Sequence, residues 1–246
     1  MRPARTAHEH TAPPERQSAI ARFFQHVFRT LRWLAFSLLI SITLECVSML
    51  LWWPDTGVEH SHDMLRTELA YLDQDLKRSV LSDDPAVFAQ TFAARARYLL
   101  FELTGFQRLT GWLTRVPSHD ATGLRPRLYR LYQDIAPFVQ AAMIIVQLFA
   151  VRLAILCLAT PVFLLFSLVG LVDGLVRRDL RRWGGGRESS YLYHYAKKSV
   201  WRFVLIAWIS YLALPISLHP AFILLPFASL FAISISITAS TFKKYL

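Results

Sequence analysis

Residues 33–53, WLAFSLLISITLECVSMLLWW, carry a single charge, Glu45. A bilayer core about 30 Å thick takes about 20 mostly apolar helical residues, and this run supplies them. Two further stretches are long enough to do the same. Residues 137–172 are interrupted only by Arg152 and Pro161, and residues 203–239 are broken by Ser-Leu-His-Pro at 217–220. The last region reads as two spans joined by a tight turn, which makes four spans in all. A long polar leader and the lack of a small-x-small site after the first run make 33–53 a retained anchor rather than a cleaved signal. The spacing therefore predicts an all-α polytopic membrane protein with about four transmembrane helices and a small helical extracytoplasmic domain.

Charge supports that topology. The chain holds 27 Lys/Arg and 17 Asp/Glu, a formal net charge of +10. Residues 54–135 contain ten of the basic and eleven of the acidic side chains, so nearly all the positive excess lies elsewhere. It crowds beside the spans in the leader (Arg22, Arg29, Arg32), in 173–199, and in the tail (Lys243, Lys244). Four spans place all three segments on one side, as the positive-inside rule expects. The expected order is a cytoplasmic leader at 1–32, a span at 33–53, an extracytoplasmic helical domain at 54–135, and a second span with an extension at 136–172. A cytoplasmic basic loop at 173–199, spans at 200–218 and 219–240, and a tail at 241–246 complete it. Such a chain is expected to be a multi-pass membrane protein with both termini cytoplasmic and the lipid bilayer as its first partner. As one helix, the second run would reach about 54 Å. Its span is therefore placed at 153–172, with 138–151 rising above the outer surface or continuing at a strong tilt.

Within 54–135, Leu65, Leu69, Leu72, Leu76 and Val80 share one helical face. Ser82-Asp83-Asp84-Pro85 ends that helix and can cap the next. Glu59-His-Ser-His-Asp63 reads as a solvated loop, and its two-residue His spacing does not match the i, i+4 pairs of helical metal sites. Cys46 and Cys157 lie in apolar runs with no ligand spacing. Neither a metal, a cofactor nor a catalytic set is expected.

Two ionisable residues fall inside apolar runs, where charge is disfavoured unless paired. Glu45 shares a face with Ser37, Ser41 and Ser48 and is expected to hydrogen-bond to these serines. Arg152 is expected to snorkel to the outer surface rather than to pair with Glu45, which lies about 13 Å away in depth by helical rise. In the last span Ala228, Ala232, Ser236 and Ser240 form a stripe of small residues that lets helices approach closely, within the chain or with a second copy.

The stretch LVDGLVRRDLRRWGGGRESSYLYHYAKKS, residues 171–199, joins two apolar regions. Arg177, Arg178, Arg181 and Arg182 group on one side of a helix leaving the membrane, and Gly184, Gly185 and Gly186 end it. Arg187, Glu188, Ser189 and Ser190 form a compact corner before the helix that carries His194. A phosphate-binding loop would need a Gly-Lys-Ser/Thr ending after a strand. Direct nucleic-acid binding is the weaker reading, because topology already explains the basic and aromatic residues. The corner is instead the expected docking surface for a cytoplasmic protein. This stretch resembles the signature loop of the integrating conjugative element membrane protein family, and the layout of anchor, external segment and three spans matches as well. The resemblance implies a non-enzymatic inner-membrane component of a conjugative type IV secretion system, with transfer-machinery proteins such as the coupling ATPase as partners. It brings no catalytic residues. The competing expectation is a small transporter, or an immunity- or exclusion-type protein, using Glu45.

Overall fold

A computed structural model describes residues 19–52, 57–75, 84–116, 124–184 and 190–242. Every regular element among them is helical. Helix α1 (Ala19–Leu51) crosses between two units, Met1–Phe36 and Ser37–Leu246. In the first unit Phe24, Phe28, Leu31 and Trp33 are exposed, and Trp33 meets Phe36 edge-on at 6.1 Å. The second unit holds the remaining elements.

Gly57, at φ +45°, makes the left-handed turn into α2 (Val58–Asp75). The Glu59–Asp63 segment, expected to be a loop, is the first turn of this helix. Glu59 favours the N-terminal end of the helix dipole, and Ser61 is fully buried. Helix α3 (Pro85–Arg97) starts as its sequence dictates. Asp84 accepts a hydrogen bond from the Val87 N–H at 3.0 Å, and Pro85 occupies the first turn, where no N–H is needed. A π-turn (Tyr98–Glu102) and Gly105 in the left-handed conformation redirect the chain into α4 (Phe106–Thr114).

Helix α5 (Leu124–Leu158) is the centre of this region. Ala141, Ile145, Leu148, Val151, Ala154 and Ile155 are buried along it, and α2 and α3 pack on it. Small residues, Ala89 and Ala93, let α3 approach closely. Pro161 lacks an N–H, so the helical ladder breaks at Ala159 and restarts as α6 (Thr160–Trp183). The apolar run 137–172 is thus shared by two helices. Its first part lies in the packed core of the unit, while Leu164, Leu165, Leu168 and Val169 of α6 are exposed.

Helices α7 (Ser190–Ala213) and α8 (Pro220–Ser240) follow. The His219 side chain caps α8 by accepting from the Ala221 N–H at 3.2 Å. Helix α8 packs on both α6 and α7, which scarcely touch one another. The α6–α8 contact explains the small-residue stripe. A Cβ on Gly170 would enter the Ala232 carbonyl group, and one on Gly174 would stand 2.7 Å from the Ala239 Cβ. Gly170 lies at Ala232 and Gly174 at Ser236, so both helices advance in the same direction. The small-xxx-small contact is made within the chain, between parallel helices.

Among the described residues, three segments are long and apolar enough to cross a membrane: Val27–Leu51, Leu124–Trp183 and Pro220–Ser240. Helix α7 falls short of that standard because Lys197, Lys198 and Arg202 interrupt it, and it ends at Ala213 rather than reaching 218.

Candidate functional site

The most buried polar cluster centres on Arg152, which is 1% exposed. The guanidinium does not snorkel. Its Nε and Nη2 lie 3.0 and 2.9 Å from Glu68 Oε1. Nη1 donates to the Leu214 carbonyl, and Nη2 donates to the Ile216 carbonyl at 2.8 Å. The Tyr211 hydroxyl donates to the other Glu68 oxygen at 2.8 Å, and its ring lies 5.6 Å from the guanidinium carbon. Burial was expected to drive Arg152 outward. A carboxylate and two carbonyls freed at the end of α7 satisfy it inside instead. Desolvation pushes the Glu68 carboxyl above its ordinary pKa, against the pull of Arg152 and Tyr211. The cluster ties α2, α5 and the α7–α8 turn together. Ser217 reinforces it by donating to the Met64 carbonyl at 3.1 Å.

Glu45 does not pair with Arg152 either. Ser61 of α2 donates to Glu45 Oε1 at 2.6 Å, whereas Glu45 Oε2, Ser37 Oγ and Ser48 Oγ are buried without a hydrogen-bond partner. The serines on its own helix are therefore not what holds the carboxyl; a serine in the first turn of α2 is. Ser61→Ala should leave both carboxyl oxygens unpartnered and lower stability by about 1–3 kcal/mol. Comparing thermal unfolding of the detergent-solubilised variant and parent proteins checks this. An unchanged midpoint would remove Ser61 as the partner.

The basic end of α6 is an ordered, partly committed surface. Arg177 is paired with Asp173 at 2.9 Å, and Asp173 accepts from Ser236 of α8. Arg181 donates to the Ser240 carbonyl at 3.4 Å, and Arg178 stands 6.0 Å from the Phe242 ring. Two of the four expected docking arginines, Arg178 and Arg181, thus meet the end of α8, and Arg177 pairs with the Asp173 carboxylate that accepts from α8. Arg182 and Trp183 are exposed, Trp183 at 91%. The Gly184 N–H closes the helix on the Leu180 carbonyl at 3.1 Å. His194 is exposed in the first turns of α7. Gly185, Gly186, Arg187, Glu188 and Ser189 lie outside the described residues, as does the side chain of Ser190.

Sequence reasoning passed over Glu68, Tyr211, Asp173, Gly170 and Gly174. Three of these had a legible signal. Glu68 falls between Leu65 and Leu72 on the apolar face of α2, and Gly170 and Gly174 have the spacing of a close helix contact. Among the described residues no group of three His, Cys, Asp or Glu side chains could hold a metal ion. What the geometry offers is a charged, partly apolar surface on a rigid helix pair.

A family model described as "IncC plasmid conjugative DNA transfer protein DtrJ-like" matches residues 52–243. No curated protein and no solved structure matches the chain.

Proposed function

The chain belongs to the DtrJ-like family of IncC plasmid conjugative DNA transfer proteins, and on that footing we propose that it is a non-enzymatic membrane accessory of a conjugative type IV secretion system. It docks a cytoplasmic protein of the machinery, such as the coupling ATPase, through the basic segment 173–199. The resemblance of 171–199 to the integrating conjugative element family supports a component shared by plasmid-borne and chromosomally integrating elements.

The proposed topology has four crossings of the inner membrane with both termini cytoplasmic. Its support is the parallel course of α6 and α8. Two neighbouring helices that advance in the same direction need a connection that returns across their height, and α7 is that connection. Lys197, Lys198 and Arg202 then sit at the cytoplasmic end of α7, where long basic side chains reach the interface.

The observation that carries the docking reading is the exposed Arg182–Trp183 end of α6, held in place by Asp173–Ser236 and Arg181–Ser240 contacts. An exposed Trp beside an Arg on a rigid element has the make-up of an interface anchor. Changing only Arg182 and Trp183 leaves the Arg177, Arg178 and Arg181 contacts intact. Arg182→Glu with Trp183→Ala should lower DNA transfer about a hundredfold, the equivalent of roughly 2.7 kcal/mol of lost docking, at unchanged membrane abundance. Mating frequency and immunoblotting of membrane fractions measure the two. Parental transfer by this variant would sink the docking role.

A further inference from the structure

A cavity of about 300 Å³ opens between α2, α3 and α5, a size at the lower end of small-molecule sites. Leu65 and Leu69 of α2, Ala93 of α3 and Val151 of α5 make its wall apolar, and Ala93 and Val151 are buried. Its mouth is polar, lined by exposed Gln90, Arg97 and Glu102. Gln147 completes the polar side. Its Nε2 donates to the Met143 carbonyl at 3.3 Å, which leaves the side-chain carbonyl oxygen as an acceptor.

Glu102 stands beside Arg97 only because the α-helix is interrupted. Residues five apart lie about 140° apart around a helix of 3.6 residues per turn, on largely opposite sides. At Tyr98–Glu102 the backbone takes the wider π-turn, and the Leu103 N–H donates to the Tyr98 carbonyl at 2.9 Å. This brings Glu102 round to Arg97, with Arg97 Nη2 and Glu102 Oε1 3.9 Å apart. That distance is within Coulombic reach but beyond a hydrogen bond, so neither group satisfies the other. Both side chains are nearly half exposed, at 46 and 43%. An exposed pair this loose contributes little stability and does not account for the π-turn. Such turns are frequent at functional sites.

We propose that this cavity binds a free α-amino acid with an aliphatic side chain. The ligand carboxylate meets the Arg97 guanidinium, and its ammonium meets the Glu102 carboxylate with Gln147 as a second acceptor. The aliphatic side chain lies on Leu65, Leu69 and Val151. An α-amino acid holds its two charges one carbon apart, a separation that suits two side-chain charges standing side by side. A ligand with a single charge satisfies one member of the pair and desolvates the other without a partner, which is costly. A peptide holds its terminal charges too far apart to use both. Charge-assisted hydrogen bonds are roughly twice as strong as neutral ones, so the head group fixes specificity while the apolar wall supplies burial.

Thermal unfolding of the full-length, detergent-solubilised protein is followed with leucine, isoleucine or valine, and with isocaproate and isoamylamine. The last two are leucine without its ammonium and without its carboxylate. At least one of the amino acids should raise the unfolding midpoint saturably, and neither singly charged analogue should match it. Arg97→Gln or Glu102→Gln should weaken the apparent affinity about tenfold or more, the equivalent of about 1.4 kcal/mol. Ala94→Phe keeps both charges and fills the cavity from an exposed position that lines it, and should abolish the shift. Each variant is compared with its own midpoint without ligand, so a change in basal stability does not obscure the result. No shift with any of the three amino acids would overturn the proposal. So would an equal shift with isocaproate or isoamylamine, or one that survives Arg97→Gln or Ala94→Phe. The readout contains no DNA transfer, so its failure leaves the docking role of α6 standing.

Discussion

Replacing Gly170 by alanine should destabilise the protein, although the same change in an ordinary helix would stabilise it by roughly 0.5–1 kcal/mol. The reason is the α8 backbone. The added methyl would enter the Ala232 carbonyl group, which is not a side-chain tip that can swing away. Gly174→Ala meets the Ser236 carbonyl and the Ala239 Cβ in the same manner. Separating the helices enough to admit a methyl also stretches the Ser236–Asp173 and Arg181–Ser240 hydrogen bonds. Gly170→Leu should cost about 3 kcal/mol or more, the upper end of overpacking effects. Unfolding of detergent-solubilised protein and abundance in membranes both read the effect, with alanine intermediate between glycine and leucine. A higher melting temperature for Gly170→Ala would show that α6 and α8 are not in close contact.

The second large effect is expected at Arg152. Arg152→Met strands the Glu68 carboxylate in a site where it is fully buried, a loss of about 3–5 kcal/mol. Glu68→Leu alone strands the guanidinium, though its two carbonyl contacts remain. Combining Arg152→Met with Glu68→Leu removes both charges and should recover a large part of the loss. Recovery should stay incomplete because the Leu214 and Ile216 carbonyls lose their donors, at about 1–3 kcal/mol for each acceptor left buried and unsatisfied. A double-mutant cycle on unfolding free energies measures the coupling. If the two single effects simply add, the ion pair contributes nothing and the cluster is not what ties α2 to the α7–α8 turn.

These two contacts also mark how far the sequence could be read. Apolar run length identified the long helices, because crossing a bilayer imposes a length and a composition that few other folds require. The Asp84-Pro85 start of α3 and the glycine end of α6 were equally legible, because caps act within a single turn. The stripe of small residues at Ala228, Ala232, Ser236 and Ser240 announced a close helix contact but not the partner. Nothing in one helix's spacing says which of several neighbours it meets. The run 137–172 looked like one span with an extension. Only the packed α5, with α2 and α3 on it, shows that its first part serves as core for the preceding helices, while Pro161 divides it from α6.

The polar residues separate the two kinds of information most sharply. Glu45 and Arg152 stood out in the sequence because a lone charge in an apolar run needs compensation. Which group would compensate was out of reach, since each candidate lies in a separate helix and depth along a helix does not fix lateral neighbours. By itself, the sequence determined an all-helical chain with membrane-length apolar segments and a positive excess gathered beside them. Those properties depend on composition within about twenty consecutive residues. The tertiary structure alone decided that Arg152 turns inward to Glu68 and the end of α7, that Ser61 holds Glu45, and that Arg178 and Arg181 of the basic cluster meet the end of α8. Those outcomes depend on which helices lie side by side, and burial allows a charge inside only where the fold brings it a partner.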